Sequence, residues 1–438
     1  MNAGGRAALL LLCSLAPAFA SDALQRGRDI FLFGAETRAR VGRDGVEAPG
    51  TSFACKNCHG MGGTGRREGR TVFPPITWAA LASATPNRPA FTRAQAILAI
   101  REGVGADGEP LDPIMPRYAL SDADAEALMD YLDRLDSEQA SGVSTEEVRF
   151  GVLAAGRYEP LGGELVRRLN AEFASLNARR GIYDRRVTAV ELADARSAET
   201  DGVLAVVSLI AETPAEAKAL AARGVPNLFS FTPVDGDEDP DLVRGVGASL
   251  ADIAKASVRH MKGRGVQDIQ LCAEPGAPLA EAVAREAGAA SLHVAMRSLT
   301  DCSARAAPHM FVVPAQARLD FSQHPPGRST IFGLLDDLAP WSEPLRKAGF
   351  SLSLANPRPR MLRLAAEQKV PLLDIQAQIT ARLIERTLEA VGRNLSRSRF
   401  VDAIDGVTLE EEGYPPLDYA TNRTTGGKDV EIFDYAAE

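Results

Sequence analysis

The sequence lacks an excess of positive charge. Its 438 residues include 49 Lys and Arg against 58 Asp and Glu, which gives a formal net charge of −9. This balance argues against nucleic acid or an anionic membrane surface as a partner. Low-complexity tracts are also missing, and the 45% hydrophobic content is that of a globular protein. At this length, two or three domains are expected rather than one.

The patterns of common catalytic sites are missing as well. The sequence contains no nucleophile–base–acid set and no Gly-rich phosphate loop. Four of the five histidines are scattered without metal-ligand spacing and are expected to be structural or exposed; they are His260, His293, His309 and His324. We therefore expect that the protein is not an enzyme in its own right.

Only the first twenty residues form a strongly apolar segment, and they have the features of an export signal. Arg6 gives a basic start, residues 7–15 are apolar, and residues 18–20 form a small-x-small cleavage site. The run is shorter than the ~20 apolar residues that a spanning helix needs. Lipidation at Cys13 is disfavoured by the bulky residue before it. We predict a cleaved signal peptide over residues 1–20 and a periplasmic protein with no membrane span.

Cysteines are few, but two of them stand in a motif with a specific chemistry. Residues 55–59 read Cys-Lys-Asn-Cys-His, the attachment pattern of a c-type haem. The thiols of Cys55 and Cys58 can reach both vinyl groups on one porphyrin edge, and His59 then falls under the iron as an axial ligand. Zinc would need further Cys or His ligands nearby, and no other histidine precedes residue 260. The motif predicts one covalently bound haem c.

The other axial ligand is predicted to be Met115. Met61 follows His59 too closely to cross to the opposite haem face, and Met129 lies in a helical pattern, where methionine usually belongs to the core. Met115 stands in a proline-flanked segment, residues 111–118, that cannot be helical. Two strong ligands leave no open iron position, so such an iron transfers electrons. A haem enzyme with Met115 displaced is the alternative.

The order of motifs over residues 22–136 resembles the class I cytochrome c family. A helix is expected over residues 23–33, a second over 92–101 and a last one from Ser121 to about Leu135, with loops between them. The shared motifs follow in order: Cys-x-x-Cys-His-Gly, Pro-Pro-Ile, Met-Pro-Arg-Tyr and Leu-Ser-Asp. The resemblance implies an all-α cytochrome c domain. An insertion over residues 34–53 departs from the family pattern.

The same resemblance implies roles for residues around the haem. Pro74 and Pro75 would line the His59 side of the haem. A haem propionate would accept a hydrogen bond from Trp78, Arg66 or Arg70, although each arginine is also compatible with a solvated surface charge.

The chain changes character near residue 145. Residues 137–144 are small and polar, as in a connector, and we predict a cytochrome domain over 21–140 and a linker over 141–147. From residue 148 to 438, buried strand patterns alternate with amphipathic helices, which predicts parallel sheets with helices on both faces. About 290 residues would make two such lobes with a cleft between them.

This second region resembles a type I periplasmic binding protein of the branched-chain amino acid receptor group. The resemblance rests on the element order, on the strand at 150–153 followed by a helix, and on Val-Pro-Asn-Leu-Phe-Ser at 225–230. It implies a ligand cleft at the strand ends, which points to Tyr158, Ser208, Thr213, Ser230 and Thr232. Where the family has a Ser/Gly-rich turn, this chain has Leu-Ile-Ala-Glu at 209–212. The domain would then bind a different small molecule or serve as a docking surface.

Two further cysteines, Cys272 and Cys302, lie in this second region. An exported protein meets an oxidising compartment, where unpaired thiols are unusual. The sequence leaves two alternatives, a disulfide or two buried thiols, because it cannot show whether the Cα atoms come within ~7 Å.

Taken together, these patterns predict an electron carrier that accepts electrons from a periplasmic dehydrogenase. The C-terminal domain would dock that partner or sense a small molecule. The alternative is a solute receptor of the ABC-transporter type with an accessory haem.

Overall fold

A computed structural model describes most of the chain, namely residues 16–42, 45–210, 214–236, 238–304, 307–314, 329–410 and 416–437. It divides into two compact units. The first comprises Met1–Ser144, Leu220–Val225 and Asn394–Phe400, and the second comprises Thr145–Ala219, Pro226–Arg393 and Val401–Glu438. Within the described residues, no helix is both long enough and apolar enough to cross a membrane.

The described part of the first unit contains helices joined by short strands and loops. Its helices are α1 (Ala16–Phe33), α2 (Cys55–His59), α3 (Trp78–Leu81), α4 (Arg93–Glu102) and α5 (Asp122–Gln139). Its strands are β1 (Arg38–Val41), β2 (Val46–Pro49), β3 (Arg66–Glu68), β4 (Thr71–Phe73) and β5 (Arg117–Tyr118).

Local capping explains where two of these helices begin and end. Thr92 and Gln95 form a reciprocal capping box at the start of α4, and Gly103 ends that helix with a φ of 74°. Ser121 caps α5 by accepting from the backbone N–H of Asp124. Helix α5 then packs on α1, with the rings of Phe31 and Tyr131 5.4 Å apart.

The prediction of a purely helical first domain is wrong. The insertion over residues 34–53 folds into the β1–β2 hairpin, and β1 also pairs with β5, Ala39 facing Tyr118. Strands β3 and β4 form a second hairpin. The physical reason is that a long connection must satisfy its backbone N–H and C=O groups, and pairing within and between these segments does so.

The described part of the second unit alternates strands and helices, as predicted. Its strands are β6 (Glu147–Ala155), β7 (Arg186–Glu191), β8 (Val206–Ile210), β9 (Asn227–Ser230), β10 (Val243–Gly245), β11 (Asp268–Cys272), β12 (His293–Arg297), β13 (His309–Val312), β14 (Thr330–Leu334), β15 (Ser351–Asn356), β16 (Thr408–Leu409), β17 (Leu417–Asp418) and β18 (Glu431–Tyr435). Its helices are α6 (Gly162–Ala178), α7 (Ser197–Thr200), α8 (Pro214–Ala222), α9 (Leu250–Gly263), α10 (Pro278–Ala289), α11 (Leu299–Ala304), α12 (Leu335–Leu338), α13 (Ser342–Lys347), α14 (Pro359–Gln368), α15 (Leu372–Val391) and α16 (Arg397–Ile404). The end of α8 and the start of α16 are counted with the first unit.

Two parallel sheets organise this unit. One has the strand order β10-β9-β8-β6-β7, and the other has the order β12-β11-β13-β14-β15-β18, with only β18 antiparallel to its neighbour. The inner strands are buried on both faces, as expected where helices cover a parallel sheet; Phe150 and Val152 of β6 are almost fully buried, and every residue of β14 is buried. The α/β prediction for this region is confirmed. Strands that end at a common sheet edge bring their following loops together, which positions the candidate cleft.

A disulfide joins Cys272 at the end of β11 to Cys302 in α11. Their Cα atoms are 6.0 Å apart, and both residues are fully buried. Trp341 packs against the same apolar cluster. The bond therefore ties a sheet strand to a short helix.

Replacing Cys272 and Cys302 together with alanine should lower the free energy of unfolding of this unit by about 2–4 kcal/mol, because the cross-link restricts the unfolded chain. Tryptophan fluorescence during urea unfolding measures the transition through Trp341. Dithiothreitol should lower the wild-type midpoint and leave that of the double variant unchanged. A wild-type unfolding midpoint that is the same with and without dithiothreitol would contradict this prediction.

Candidate functional site

Helix α2 is a short helix that holds the Cys-Lys-Asn-Cys-His motif. Cys58 and His59 follow Cys55 by three and four positions, so all three side chains lie on the same helix face. Both cysteines are unbonded and half-buried. The helix ends at Gly60, which has a φ of 77° and donates its N–H to the carbonyl of Lys56. The motif is thus a compact, preformed arrangement.

The His59 imidazole is buried and fixed in one tautomer. Its side chain lies 2.7 Å through Nδ1 from the carbonyl oxygen of Pro74. A carbonyl can only accept, so Nδ1 carries the proton and Nε2 keeps its lone pair. Among the described residues, none forms a hydrogen bond with Nε2. Burial lowers the pKa of His59 despite the Pro74 carbonyl, which leaves the neutral imidazole that binds metals.

The β3–β4 hairpin delivers the Pro74 carbonyl to this histidine. Phe73, the last residue of β4, sets its ring edge-on to the imidazole with 6.3 Å between the ring centroids. Gly65 precedes the hairpin with a φ of +85° and donates its N–H to the carbonyl of His59. A Cβ at Gly65 would lie 2.6 Å from the Phe73 oxygen, so only glycine allows this approach.

The two thiols are neutral in this environment. Burial raises the pKa of Cys55 to about 12. The pKa of Cys58 is also raised, first by burial and then by the charge of Glu68, with Arg66 opposing. Within the described parts of the chain, no three His, Cys, Asp or Glu side chains converge as metal ligands. The donor set, two thiols and one oriented imidazole on one face, fits a thioether-bound haem and does not make a zinc site.

Met115 lies half-buried in the connection between α4 and β5, next to Ile114, which is 51% exposed. The other two methionines of this region are buried, Met61 at 4% and Met129 at 0% exposure, and Met129 belongs to the core face of α5. Met115 stays the predicted second ligand.

The residues proposed to contact haem propionates occupy different positions. Arg66 lies on β3 close enough to Cys58 for its charge to affect the thiol. Arg70 is exposed in the turn between β3 and β4, and Trp78 is half-buried at the start of α3. Pro75 is exposed beside Pro74. Their roles toward a haem stay predictions.

Three of the residues predicted to line the cleft of the second unit lie together. The hydroxyl oxygen of Ser230 lies 3.2 Å from that of Ser208 and 3.1 Å from that of Thr232. Ser208 and Ser230 are buried, at 0% and 2% exposure, so these hydroxyls bond to one another. Tyr158 lies in the 3₁₀ helix that follows β6, where the guanidinium of Arg157 stands 5.0 Å from the centroid of its ring. Thr213 lies outside the described residues.

Phe229, one residue before Ser230, has a φ of 57° and is fully buried. A bulky residue rarely adopts this backbone conformation, and such strain concentrates at functional positions. The strained bend at the end of β9 turns the chain so that Ser230 and Phe231 reach the cleft.

Two ion pairs at the cleft escaped the sequence analysis. The Arg358 side chain is 1% exposed; it pairs with Asp336, donates to the carbonyl of Phe231 at 2.6 Å and lies 3.8 Å over the Phe231 ring. Arg157 pairs with Asp337 at 2.5 Å. The sequence signal was the position of each residue in a loop after a strand.

One ion pair and one hydrogen bond connect the two sheets, namely Arg157–Asp337 and the bond from Arg358 to the Phe231 carbonyl, whereas Arg358 and Asp336 follow neighbouring strands of the same sheet. Arg157 and Phe231 follow strands β6 and β9 of one sheet, whereas Asp336, Asp337 and Arg358 follow β14 and β15 of the other. Burial raises the pKa of Tyr158, and the charge of Asp336 adds to the shift while Arg157 opposes it. The cleft is therefore bridged by the chain's own charges.

Comparison with known proteins identifies the domain that contains the Cys-x-x-Cys-His motif. Residues 50–136 match the family model Cytochrome c. This part of the chain is a cytochrome c domain. The family implies a haem c cofactor and electron transfer, in agreement with the geometry at Cys55, Cys58 and His59. No curated protein sequence matches the chain.

Solved structures are similar to the second unit. A fatty acid ABC transporter substrate-binding protein from Thermomonospora curvata aligns with a TM-score of 0.52 at 15% identity, covering 68% of this chain and 92% of that chain. A possible leucine/isoleucine/valine-binding protein from Rhodopirellula baltica SH 1 aligns with a TM-score of 0.49 at 15% identity, covering 68% and 98%. The first likeness shows that the α/β unit has the fold of these periplasmic binding proteins.

In the cytochrome c domain, Gly65→Ala should reduce the haem content. The new Cβ would displace the Phe73 carbonyl and with it Pro74, so the imidazole of His59 would lose its acceptor. The ratio of Soret absorbance to protein concentration measures the haem content.

Gly69→Ala is the matched control for this variant. Gly69 lies in the same hairpin with a φ of +57°, but nothing lies within 4 Å of its Cβ position. It should cost about 1 kcal/mol of stability from backbone strain and leave the haem content unchanged. An equal loss of haem content in Gly65→Ala and Gly69→Ala would contradict the role given to the Pro74 carbonyl.

Proposed function

We propose that the protein is a periplasmic electron carrier with one haem c. Thioether bonds to Cys55 and Cys58 would hold the haem, and His59 and Met115 would be the axial ligands. The observation that carries this proposal is the neutral, buried His59, whose Nδ1 is fixed by Pro74 while Nε2 keeps its lone pair. The bound haem supplies a single redox-active iron. A periplasmic dehydrogenase would be the electron donor.

The chain's own residues prepare that site in three ways. Helix α2 orients both thiols, the Pro74 carbonyl fixes the His59 tautomer, and the hairpin β3–β4 covers the imidazole. A fixed ligand needs little reorganisation when the iron changes charge, which favours electron transfer. Two axial ligands from the protein would also keep oxygen and substrates from the iron.

Export to the periplasm is part of the proposal. Its sequence support is the signal predicted over residues 1–20, of which residues 1–15 lie outside the described residues. The Cys272–Cys302 disulfide is consistent with an oxidising compartment. Haem attached through thioether bonds fits the same location.

For the α/β domain, we favour docking of a redox partner over solute binding. The predicted cleft hydroxyls of Ser208 and Ser230 are buried and bonded to each other. The Arg157–Asp337 ion pair and the hydrogen bond from Arg358 to the Phe231 carbonyl bridge the cleft from one sheet to the other. A solute receptor would have to break these contacts before it could bind.

The mature protein, made in a host that matures cytochromes, should carry the mass of one haem and show a Soret band. The double variant Cys55→Ala/Cys58→Ala should lose both, because no thioether bond can form. Mass spectrometry under denaturing conditions separates covalent from loosely bound haem. The reduced wild type should not bind carbon monoxide, and ready binding would favour the haem enzyme instead.

Removing the cleft charges should open the α/β domain. Asp336→Asn/Asp337→Asn leaves the buried Arg358 without its carboxylate, so the melting temperature should fall and the radius of gyration from small-angle scattering should rise. Asp301→Asn replaces an exposed residue of α11; it is the control and should change neither.

The same melting experiment tests the alternative of a solute receptor. A branched-chain amino acid or a fatty acid that stabilised the wild type in a saturable manner would contradict the docking assignment. If the double variant melts and scatters like the wild type, the ion pairs do not hold the lobes together.

A further inference from the structure

The connection that contains Met115 is held by one arginine. Arg117 donates from its guanidinium to the carbonyl of Met115 and, at 3.0 Å, to that of Leu111. The Asp112 carbonyl lies 3.4 Å from the same nitrogen as Leu111. Within the described residues, no carboxylate pairs with Arg117. The planar guanidinium of Arg117 therefore holds several backbone carbonyls of residues 111–115 together.

Gly103 makes room for this guanidinium. A Cβ at Gly103 would lie 1.7 Å from Nε of Arg117. Gly103 also ends α4 with a positive φ, and its carbonyl accepts from the N–H of Leu111. Arg117 and Gly103 thus tie the Met115 connection to the end of α4.

The inserted β1–β2 hairpin contacts β5, the strand that begins at Arg117. Strand β1 pairs with β5 so that Arg40 faces Arg117 and Ala39 faces Tyr118. Ala39 is fully buried, and the hydroxyl of Tyr118 donates to the carbonyl of Phe53, two residues before Cys55. The insertion therefore links the Met115 connection to the segment that precedes the haem motif.

We propose that Arg117 is a positioning residue for Met115, and that the inserted β1–β2 hairpin braces it; this rests on the proposed His59/Met115 ligation. A thioether is a neutral ligand without charge to attract it to the iron, and a connection of this length loses conformational freedom when its sulfur is fixed. Arg117 and β1 fix the backbone on both sides of Met115 beforehand. By holding the backbone around Met115, Arg117 and β1 favour the Met115 sulfur over competing ligands of the iron. Because methionine ligation raises the reduction potential of a haem, they also keep that potential high.

The test uses the full-length haem protein with Arg117→Gln and Arg117→Lys. Imidazole is the probe, because it competes with methionine for ferric iron. Both variants should keep their Soret band and bind imidazole about tenfold more tightly, as expected when a hydrogen bond from a charged donor is lost. The reduction potential should fall in both. Lysine keeps the positive charge but lacks the planar guanidinium. The Arg117→Lys variant therefore distinguishes hydrogen bonding to several backbone carbonyls from a purely electrostatic effect.

Arg38→Gln is the matched control. Arg38 lies on β1, the strand that pairs with β5, but its side chain is 64% exposed and pairs with Glu47. Its imidazole affinity should stay within about twofold of the wild type, as for other exposed pairs. Tyr118→Phe is a milder second variant, should the Arg117 variants fail to fold, and it should bind imidazole severalfold more tightly.

Met115→Ala separates this proposal from the proposed function. If Met115→Ala binds imidazole tightly and the Arg117 and Tyr118 variants behave like the wild type, the brace is wrong and the ligation stands. If Arg117→Lys matches the wild type while Arg117→Gln does not, the charge alone acts and the brace is again wrong. If Met115→Ala itself behaves like the wild type, the ligation by Met115 is wrong.

Discussion

The hydrogen bond from His59 to the Pro74 carbonyl is the constraint on which the candidate haem site depends. It puts the proton on Nδ1 and leaves Nε2 as the only lone pair that can bind a metal. Three features support this contact. The β3–β4 hairpin brings Pro74 into place, Gly65 leaves room because no side chain fits there, and burial keeps the imidazole neutral. A freely turning histidine would present its two nitrogens equally.

The two units of the chain use charge in different ways. In the cytochrome c domain, Arg117 has backbone carbonyls as partners, which suits a connection that must be held without regular structure. In the α/β domain, buried Arg358 pairs with the carboxylate of Asp336 from its own sheet and reaches Phe231 of the other sheet, and its desolvation is offset by Asp336 and the Phe231 ring. Arg117 holds the connection that precedes β5, and Arg358 holds the loop that follows β15. Strand pairing alone would not fix the backbone in either segment.

Much of the fold could be predicted, because its signals are local. The capping residues Thr92 and Ser121 gave two helix starts, and the apolar runs of β6 and β8 gave sheet strands. The first domain was wrongly predicted as all-α because the pairing of β1 with β5 joins segments about 80 residues apart, and such pairing leaves no local pattern. Arg358 was missed for a similar reason: its partners, Phe231 and Asp336, are distant in the chain.

The sequence by itself determined the chemistry of the haem motif, since a thiol pair and a histidine within five residues need no distant partner to be recognised. It also determined the alternation of strands and helices, because periodicity is local. Only the tertiary structure decided that the cleft hydroxyls of Ser208 and Ser230 face each other, and that charges from two sheets meet. Those outcomes depend on which strand ends become neighbours, and that is fixed by the packing of the whole domain.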